Sequence, residues 1–397
     1  MAASMNQGVM IVGGKRTAIG DFGKSLQNVS PTTLGAIAIR AALADAAIDG
    51  DAVQQVVLGN VIHTEARDAY ISRVAAVEAG ISIAAPALTV NRLCGSGLQA
   101  IISAAQAILL GDADIAVGGG AESMSRGGYL LPNERWGARF GDGKVVDMVM
   151  GTLHDPFGHG HMGMTAEKVA AKYQISREAQ DVFALESHRR AAHALAEGRF
   201  VSQIAPVEVS GRKGPEYFRV DEHVRADIEP AKLAGLKPAF QKDGTVTAGN
   251  ASSLSDGAAA MVLMSEREVA RRGVVPRARL VAYDHAGVEP QLMGLGPIPA
   301  VRKVLQRAGL KIGDMDVIES NEAFAAQACA VAQDLEFDPA KANPNGGAIA
   351  LGHPIGATGA IIAIKALYEL ERTGGKYGLI TMCVGGGQGI AAVIERL

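Results

Sequence analysis

The segment Cys94-Gly95-Ser96-Gly97-Leu98-Gln99-Ala100 opens an apolar helix over 97–110, and a strand then runs Ile115-Ala116-Val117 into Gly118-Gly119-Gly120. The same order returns late in the chain. His353-Pro354-Ile355-Gly356-Ala357-Thr358-Gly359-Ala360 opens a helix through Ile361, Ile364 and Leu367, and the strand Leu379–Met382 runs into Val384-Gly385-Gly386-Gly387. Each copy sets a chemically reactive side chain just before a glycine-rich helix start. Strands alternating with helices imply two similar α/β halves, each with a mostly parallel sheet. Two such halves facing each other bring the two turns together.

Working outward, Val9–Val12 reads as a buried strand. Ser30-Pro31 supplies an N-cap and an N1 proline for a helix running to about Ala46. Val56-Val57-Leu58 is a second strand. In the later half, Leu280–Tyr283 is a strand, Pro299 opens a helix closed by Gly309, and Val317-Ile318 is a strand leading to Asn321. Residues 124–254 do not fit the repeat. They carry more charge, hold the sole tryptophan, Trp136, and contain a helix capped by Ser176 with Ala179, Val182 and Phe183 expected on its inner face. The expected division is therefore 1–123 with 255–275 as the first half, 124–254 as an inserted loop domain, and 276–397 as the second half.

Bulk composition narrows the class. Hydrophobic residues make up 48% and there are 49 glycines against only 4% aromatics, which suits aliphatic cores between glycine-rich turns. A net charge of −3 with both signs dispersed gives no basic footprint for a nucleic acid. No apolar run is read as reaching a membrane span, and Met1–Gly8 carries no secretory pattern. Three scattered cysteines do not make a disulfide scaffold, so a reducing compartment, most simply the cytoplasm, is expected.

Cys94 stands between an apolar run, Pro86–Val90, and a helix start, with glycines at 95 and 97. That is the pattern of a nucleophile on a sharp strand-to-helix turn, where the helix dipole favours a thiolate. A buried structural cysteine is the alternative, and the flanking glycines argue against it. Cys383 precedes a second Gly-rich turn. Cys329, inside an apolar helix, reads as core. His353 on a Gly/Pro-rich turn suits function, and Asn321 at a strand end is accounted for equally by helix capping. His154, His159 and His161 lack the spacing of a metal site, and no GxGxxG supports a dinucleotide site.

Seven segments together resemble the thiolase family over essentially the whole chain. They are Asn91–Ala100, Gly118–Ser125, His161–Glu167, Val246–Ser252, Asn321–Gln327, Gly352–Ala360 and Cys383–Gly389. His161-Met162 is similar to the biosynthetic, short-chain branch, comprising acetyl-CoA acetyltransferases and broader bacterial β-ketothiolases. The resemblance implies a five-layered αβαβα fold with an inserted loop domain. It implies an acyltransferase that condenses two acyl-CoA molecules or cleaves a 3-ketoacyl-CoA, reversibly, through an acyl-Cys94 thioester.

In that scheme His353 takes the Cys94 proton and Cys383 handles the α-carbon proton. His353 with a water held by Asn321 forms one oxyanion hole, and the backbone N–H groups of Cys94 and Gly385 form the other. Coenzyme A is the carrier, with no metal or redox cofactor. His161, Met162 and Ser252 are implied along the pantetheine channel, Leu153, Phe240 and Phe324 as its apolar walls, and Arg225 at the adenine-phosphate end. The chain departs from the family where it reads Ala251-Ser252-Ser253-Leu254-Ser255-Asp256. Partners implied are acyl-CoA, CoA and three further copies of the chain, as a dimer of dimers. Two alternatives are a β-ketoacyl synthase, which resembles a Cys-His-His set that Cys383 breaks, and a non-catalytic acyl-CoA or lipid-binding protein.

Overall fold

The computed structural model describes residues 8–211 and 214–397; the leader reading falls almost wholly on residues 1–7, outside the described residues. The first half contains β1 (Val9–Thr17), α1 (Pro31–Ala46), β2 (Gln55–Gly59), α2 (Ile71–Glu78), β3 (Ala87–Val90), α3 (Ser96–Leu110) and β4 (Ile115–Ser123). The insertion carries α4 (Met162–Tyr173) and α5 (Arg177–Ala196). Then come β5 (Ser255–Ser265), β6 (Ala278–Gly287), α6 (Pro297–Ala308), β7 (Val317–Ser320), α7 (Ala325–Asp334), α8 (Thr358–Thr373), β8 (Tyr377–Val384) and β9 (Gln388–Arg396). Local signals explain many of these bounds. Ser30 Oγ accepts the Thr33 N–H at 3.2 Å ahead of α1, and Gly111 closes α3 in the left-handed region at φ 83°.

The strands run β7-β8-β9-β6-β1-β5-β4-β2-β3. The two half-sheets meet only where Val9–Ile11 pairs with Ala278–Leu280. Parallel pairing holds at the outer ends, β7 with β8 and β4 with β2 with β3. Between them the strands pair antiparallel, because β9 follows β8 through a tight turn and β5 returns from the insertion between β1 and β4.

Side chains alternate across each strand, and the alternation builds three cores. Leu379 of β8 packs outward with Val301 and Val304 of α6. Its neighbour Ile380 packs inward with Ile101 of α3 and Ile364 of α8. On the far side, Leu34 and Ile39 of α1 pack on Leu58, Val117 and Val262. The order is helix, sheet, central helices, sheet, helix.

Four expectations need correction. Leu93–Leu110 is long and apolar enough to cross a membrane by composition, and it is the Cys94 turn followed by the central core helix α3. The helix in the second half begins at Pro297, not Pro299. Asn321 does not cap α7, whose N-cap position is Phe324. On α5, Ala179 and Val182 are exposed and Phe183 is half-buried; the buried face carries Gln180, Asp181, Ser187 and His188 beside Ala184, Ala191 and Ala194. That polar face is largely paired: Asp181 accepts from Asn250 Nδ2 at 2.8 Å and Arg177 Nε at 2.8 Å, and Gln180 donates to Thr245 Oγ1 at 2.9 Å while its Oε1 has no protein partner.

The insertion is fastened to β1 by a buried pair. Arg16 donates to Asp221 Oδ1 at 2.7 Å and to Oδ2 at 2.9 Å, with both side chains fully buried. At the centre, a Cβ on Gly97 would stand 2.8 Å from Ala360 N, and one on Gly359 would strike Leu98 N. Gly97→Val or Gly359→Val is therefore expected to cost about 1–3 kcal/mol through overpacking. Thermal denaturation reads it, and an unchanged Tm contradicts the close crossing.

Candidate active site

Cys94 lies between β3 and α3. The turn is pinned from both sides: Asn91 Oδ1 accepts from Leu93 N at 2.9 Å, and Ser96 Oγ accepts from Arg92 N at 2.9 Å while donating to Leu93 O at 2.6 Å. The left-handed residue is Leu93, at φ 46°, so the strain expected on glycine sits on the residue before the cysteine. Gly95 has a different reason to be glycine, since a Cβ there would stand 2.9 Å from Val384 Cγ2.

His353 is buried, with Nδ1 2.7 Å from Thr358 Oγ1 and Nε2 3.4 Å from Asn321 Nδ2. Burial pushes its pKa down to about 4, so the ring is neutral at physiological pH. Asn321 follows β7, and its Oδ1 is buried without a protein partner. Cys383 ends β8 and is buried, and the chain turns over Gly385–Gly387.

Burial drives the Cys94 thiol up to about 11, against the pull of the Gly385 and Cys94 backbone N–H groups, with the Glu122 charge adding to the rise. The Cys383 thiol is raised further, by burial and then by Cys94 itself. Both are therefore thiols at rest. A neutral imidazole, two thiols and converging N–H donors can run proton transfer and nucleophilic attack in a dry site.

These groups face one cavity of about 630 Å³. Cys94, His353, Cys383 and Gly385 line it, and so do Leu153, His161, Met162, Phe240, Ser252 and Phe324. His161 caps α4, its Nδ1 accepting from Gly163 N at 3.1 Å, and stacks on Phe240 with centroids 4.7 Å apart. Ser252 donates to Ala323 O at 3.0 Å, tying the insertion to the α7 start. Each thiol has its own apolar surroundings. Cys94 packs on Met124 and Ile355, and Cys383 clusters with Met162, Met293 and Phe324. Two expected residues are not in the lining. Asn321 stands behind His353, and Arg225 is exposed outside the cavity, where only a ligand group projecting into solvent would meet it. Cys329 lines a separate cavity of about 380 Å³.

Comparison with known proteins settles the family. Residues 9–267 match the family Thiolase, N-terminal domain, and residues 274–396 match Thiolase, C-terminal domain. The chain belongs to the thiolase family. It is 62% identical over 394 residues to "Beta-ketothiolase BktB" of Cupriavidus necator, covering 99% of this chain and 100% of that protein. It is 49% identical to an "Acetyl-CoA acetyltransferase" of Chromobacterium violaceum, covering 98% and 99%. Human mitochondrial 3-ketoacyl-CoA thiolase superposes with a TM-score of 0.97 at 43% identity, covering 99% and 100%; its complex with CoA gives 0.96 at 43% identity, covering 98% of each.

One residue of this thiolase's site was not singled out from the sequence. Glu122, in the quoted Gly118–Ser125 stretch, is fully buried behind Cys94. Its carboxyl accepts from Asn60 Nδ2 at 3.1 Å, Val61 N at 3.1 Å and Ile62 N at 3.2 Å in the first half. It also accepts from Gly356 N at 2.9 Å in the His353 turn of the second half. Burial lifts its pKa to about 8, opposed by these N–H donors. Only its position at the strand end ahead of the repeat's second turn hinted at this joint. Glu122→Ala takes the acceptor from the buried Ile62 and Gly356 N–H groups and the part-buried Val61 N–H, and leaves Asn60 Nδ2 with Ala121 O alone. It is expected to cost about 3 kcal/mol or more and to lower the unfolding midpoint in denaturant. Wild-type stability contradicts the joint.

Proposed function

We propose that this thiolase acts through Cys94 as acyl carrier and Cys383 as the proton donor and acceptor at the substrate α-carbon. The observation that carries it is two thiols and the buried, neutral His353 imidazole on a single, largely apolar cavity. In thiolysis, Cys94 gives its proton to His353 Nε2 and its sulfur attacks the 3-keto carbonyl of a 3-ketoacyl-CoA. The carbon–carbon bond breaks, the electron pair passes to the α-carbon, and the Cys383 thiol protonates it to release acetyl-CoA. The Cys383 thiolate then takes the proton of free CoA, whose sulfur attacks the acyl-Cys94 thioester. Cys94 leaves and recovers its proton from His353. Condensation is the reverse. Both resting thiols suit this order, since each starts the cycle protonated.

The oxyanion on the carbon bound to Cys94 faces the Cys94 and Gly385 N–H groups, the donors already acting on the Cys94 sulfur. The thioester enolate faces His353 and a water held by Asn321. Pantetheine would follow His161, Met162 and Ser252 between Leu153, Phe240 and Phe324. CoA is substrate and carrier, and the scheme asks for no other cofactor. Short acyl chains are the substrates we expect, by likeness to the β-ketothiolase and acetyl-CoA acetyltransferase relatives. We place the enzyme in the cytoplasm, in keeping with its three free cysteines.

We also propose a homotetramer. Tyr129, Trp136 and Phe140 stand exposed around a small hairpin of the insertion, a patch suited to burial by another subunit. Light scattering should give about four times 41.0 kDa; a monomer contradicts it. For the chemistry, mixing with acetoacetyl-CoA and CoA should consume the 3-ketoacyl absorbance, and Cys94→Ala should abolish this. An inactive wild type, or an active Cys94→Ala, overturns the reading.

A further inference from the structure

His353 has two ring nitrogens, and a base that exchanges protons with Cys94 must present the same one each time. Nδ1 lies 2.7 Å from Thr358 Oγ1, and that hydroxyl lies 2.9 Å from the Pro354 carbonyl oxygen. A carbonyl oxygen only accepts, so the contact with Pro354 uses the hydroxyl proton. The hydroxyl oxygen is left to accept, and Nδ1 must then supply a hydrogen. On the other side of the ring, Asn321 Nδ2 is a donor 3.4 Å from Nε2, which matches a lone pair there. Thr358 is 2% exposed and is the first residue of α8, so the helix that begins in the turn fixes its hydroxyl.

We infer that Thr358 is a positioning residue that holds His353 with its hydrogen on Nδ1 and reserves Nε2 for proton exchange. The inference rests on Cys94 being the nucleophile. When the Cys94 S–H bond breaks, the proton goes to Nε2 and the electron pair stays on sulfur. The imidazolium keeps its Nδ1–H on Thr358. The Nε2 proton returns to the Cys94 sulfur when that sulfur leaves the tetrahedral adduct.

A neutral orienter has a consequence that a carboxylate would not. The groups against the ring are Thr358 and Asn321, with Ser253 and Ser255 on its backbone N–H, and none carries charge. Cys94 and Cys383 across the cavity are thiols, and Glu122 behind Cys94, lifted to about 8 by burial, is mostly protonated at neutral pH. No fixed anion stabilises the imidazolium, so the ring is ready to return its proton to Cys94 when that sulfur leaves the acyl group.

The test compares Thr358→Val, Thr358→Ala and Thr358→Ser in the full chain. Thiolysis of acetoacetyl-CoA gives kcat and KM. Iodoacetamide alkylation of Cys94, located by peptide mapping across pH 6 to 9, reads thiol activation directly, and thermal melts control for folding. Both hydroxyl-free variants should lose about 10- to 100-fold in kcat with KM changed less than about twofold, while Thr358→Ser stays within about threefold. Cys94 alkylation should slow in the same two variants at every pH and recover in Thr358→Ser. Either hydroxyl-free variant keeping more than about half of wild-type kcat and alkylation rate, or Thr358→Ser as impaired as Thr358→Ala at wild-type Tm, overturns the inference. A wild type without thiolysis overturns the acyl-transfer reading instead, and the alkylation series alone then decides the role of Thr358.

Discussion

Gly97 of α3 lies so close to Ala360 of α8, and Gly359 to Leu98, that a methyl group on either helix would collide with the backbone of the other. The same holds one layer out, where a Cβ on Gly120 would meet the Gly356 carbonyl. These contacts set the distance between the Cys94 turn and the His353 turn. Glu122 then locks the two halves by accepting N–H groups from both. The repeated glycines are the condition for two α/β halves to share one central helical layer.

A site built at that seam is largely buried, and desolvation decides its acid–base chemistry. Desolvation holds both thiols protonated and the imidazole neutral. No ion pair is prepared in advance. Charge appears when substrate is attacked, and the Gly385 and Cys94 amides are already aimed where it develops. The two thiols, in separate apolar clusters, can then serve different carbons of one substrate.

The sequence was readable wherever a local signal carried the information. The two Gly-rich helix starts, the strands that end in glycines, and Cys94, His353 and Cys383 follow from residue type and neighbours, and the family likeness divided their roles. What needed coordinates was decided by tertiary partners. The antiparallel centre of the sheet depends on where β5 returns, which no residue of β5 announces. The α5 face was misread because its buried residues mix alanines with polar side chains, and the partners of Asp181 and Gln180, Asn250 and Thr245, lie far along the chain. Leu93 carries the left-handed backbone of the Cys94 turn, a role its residue type does not suggest. Glu122 has no distinguishing local pattern, because its donors come from two distant segments, 60–62 and the turn at Gly356.

The central claim is that one particular sulfur carries the acyl group, and it can be read directly. Wild-type enzyme mixed with acetyl-CoA, quenched in acid and digested should show an acetyl group on the peptide containing Cys94, and none on those containing Cys383 or Cys329. Acetyl on either of the other cysteines, or no adduct in enzyme that turns over, would contradict the account.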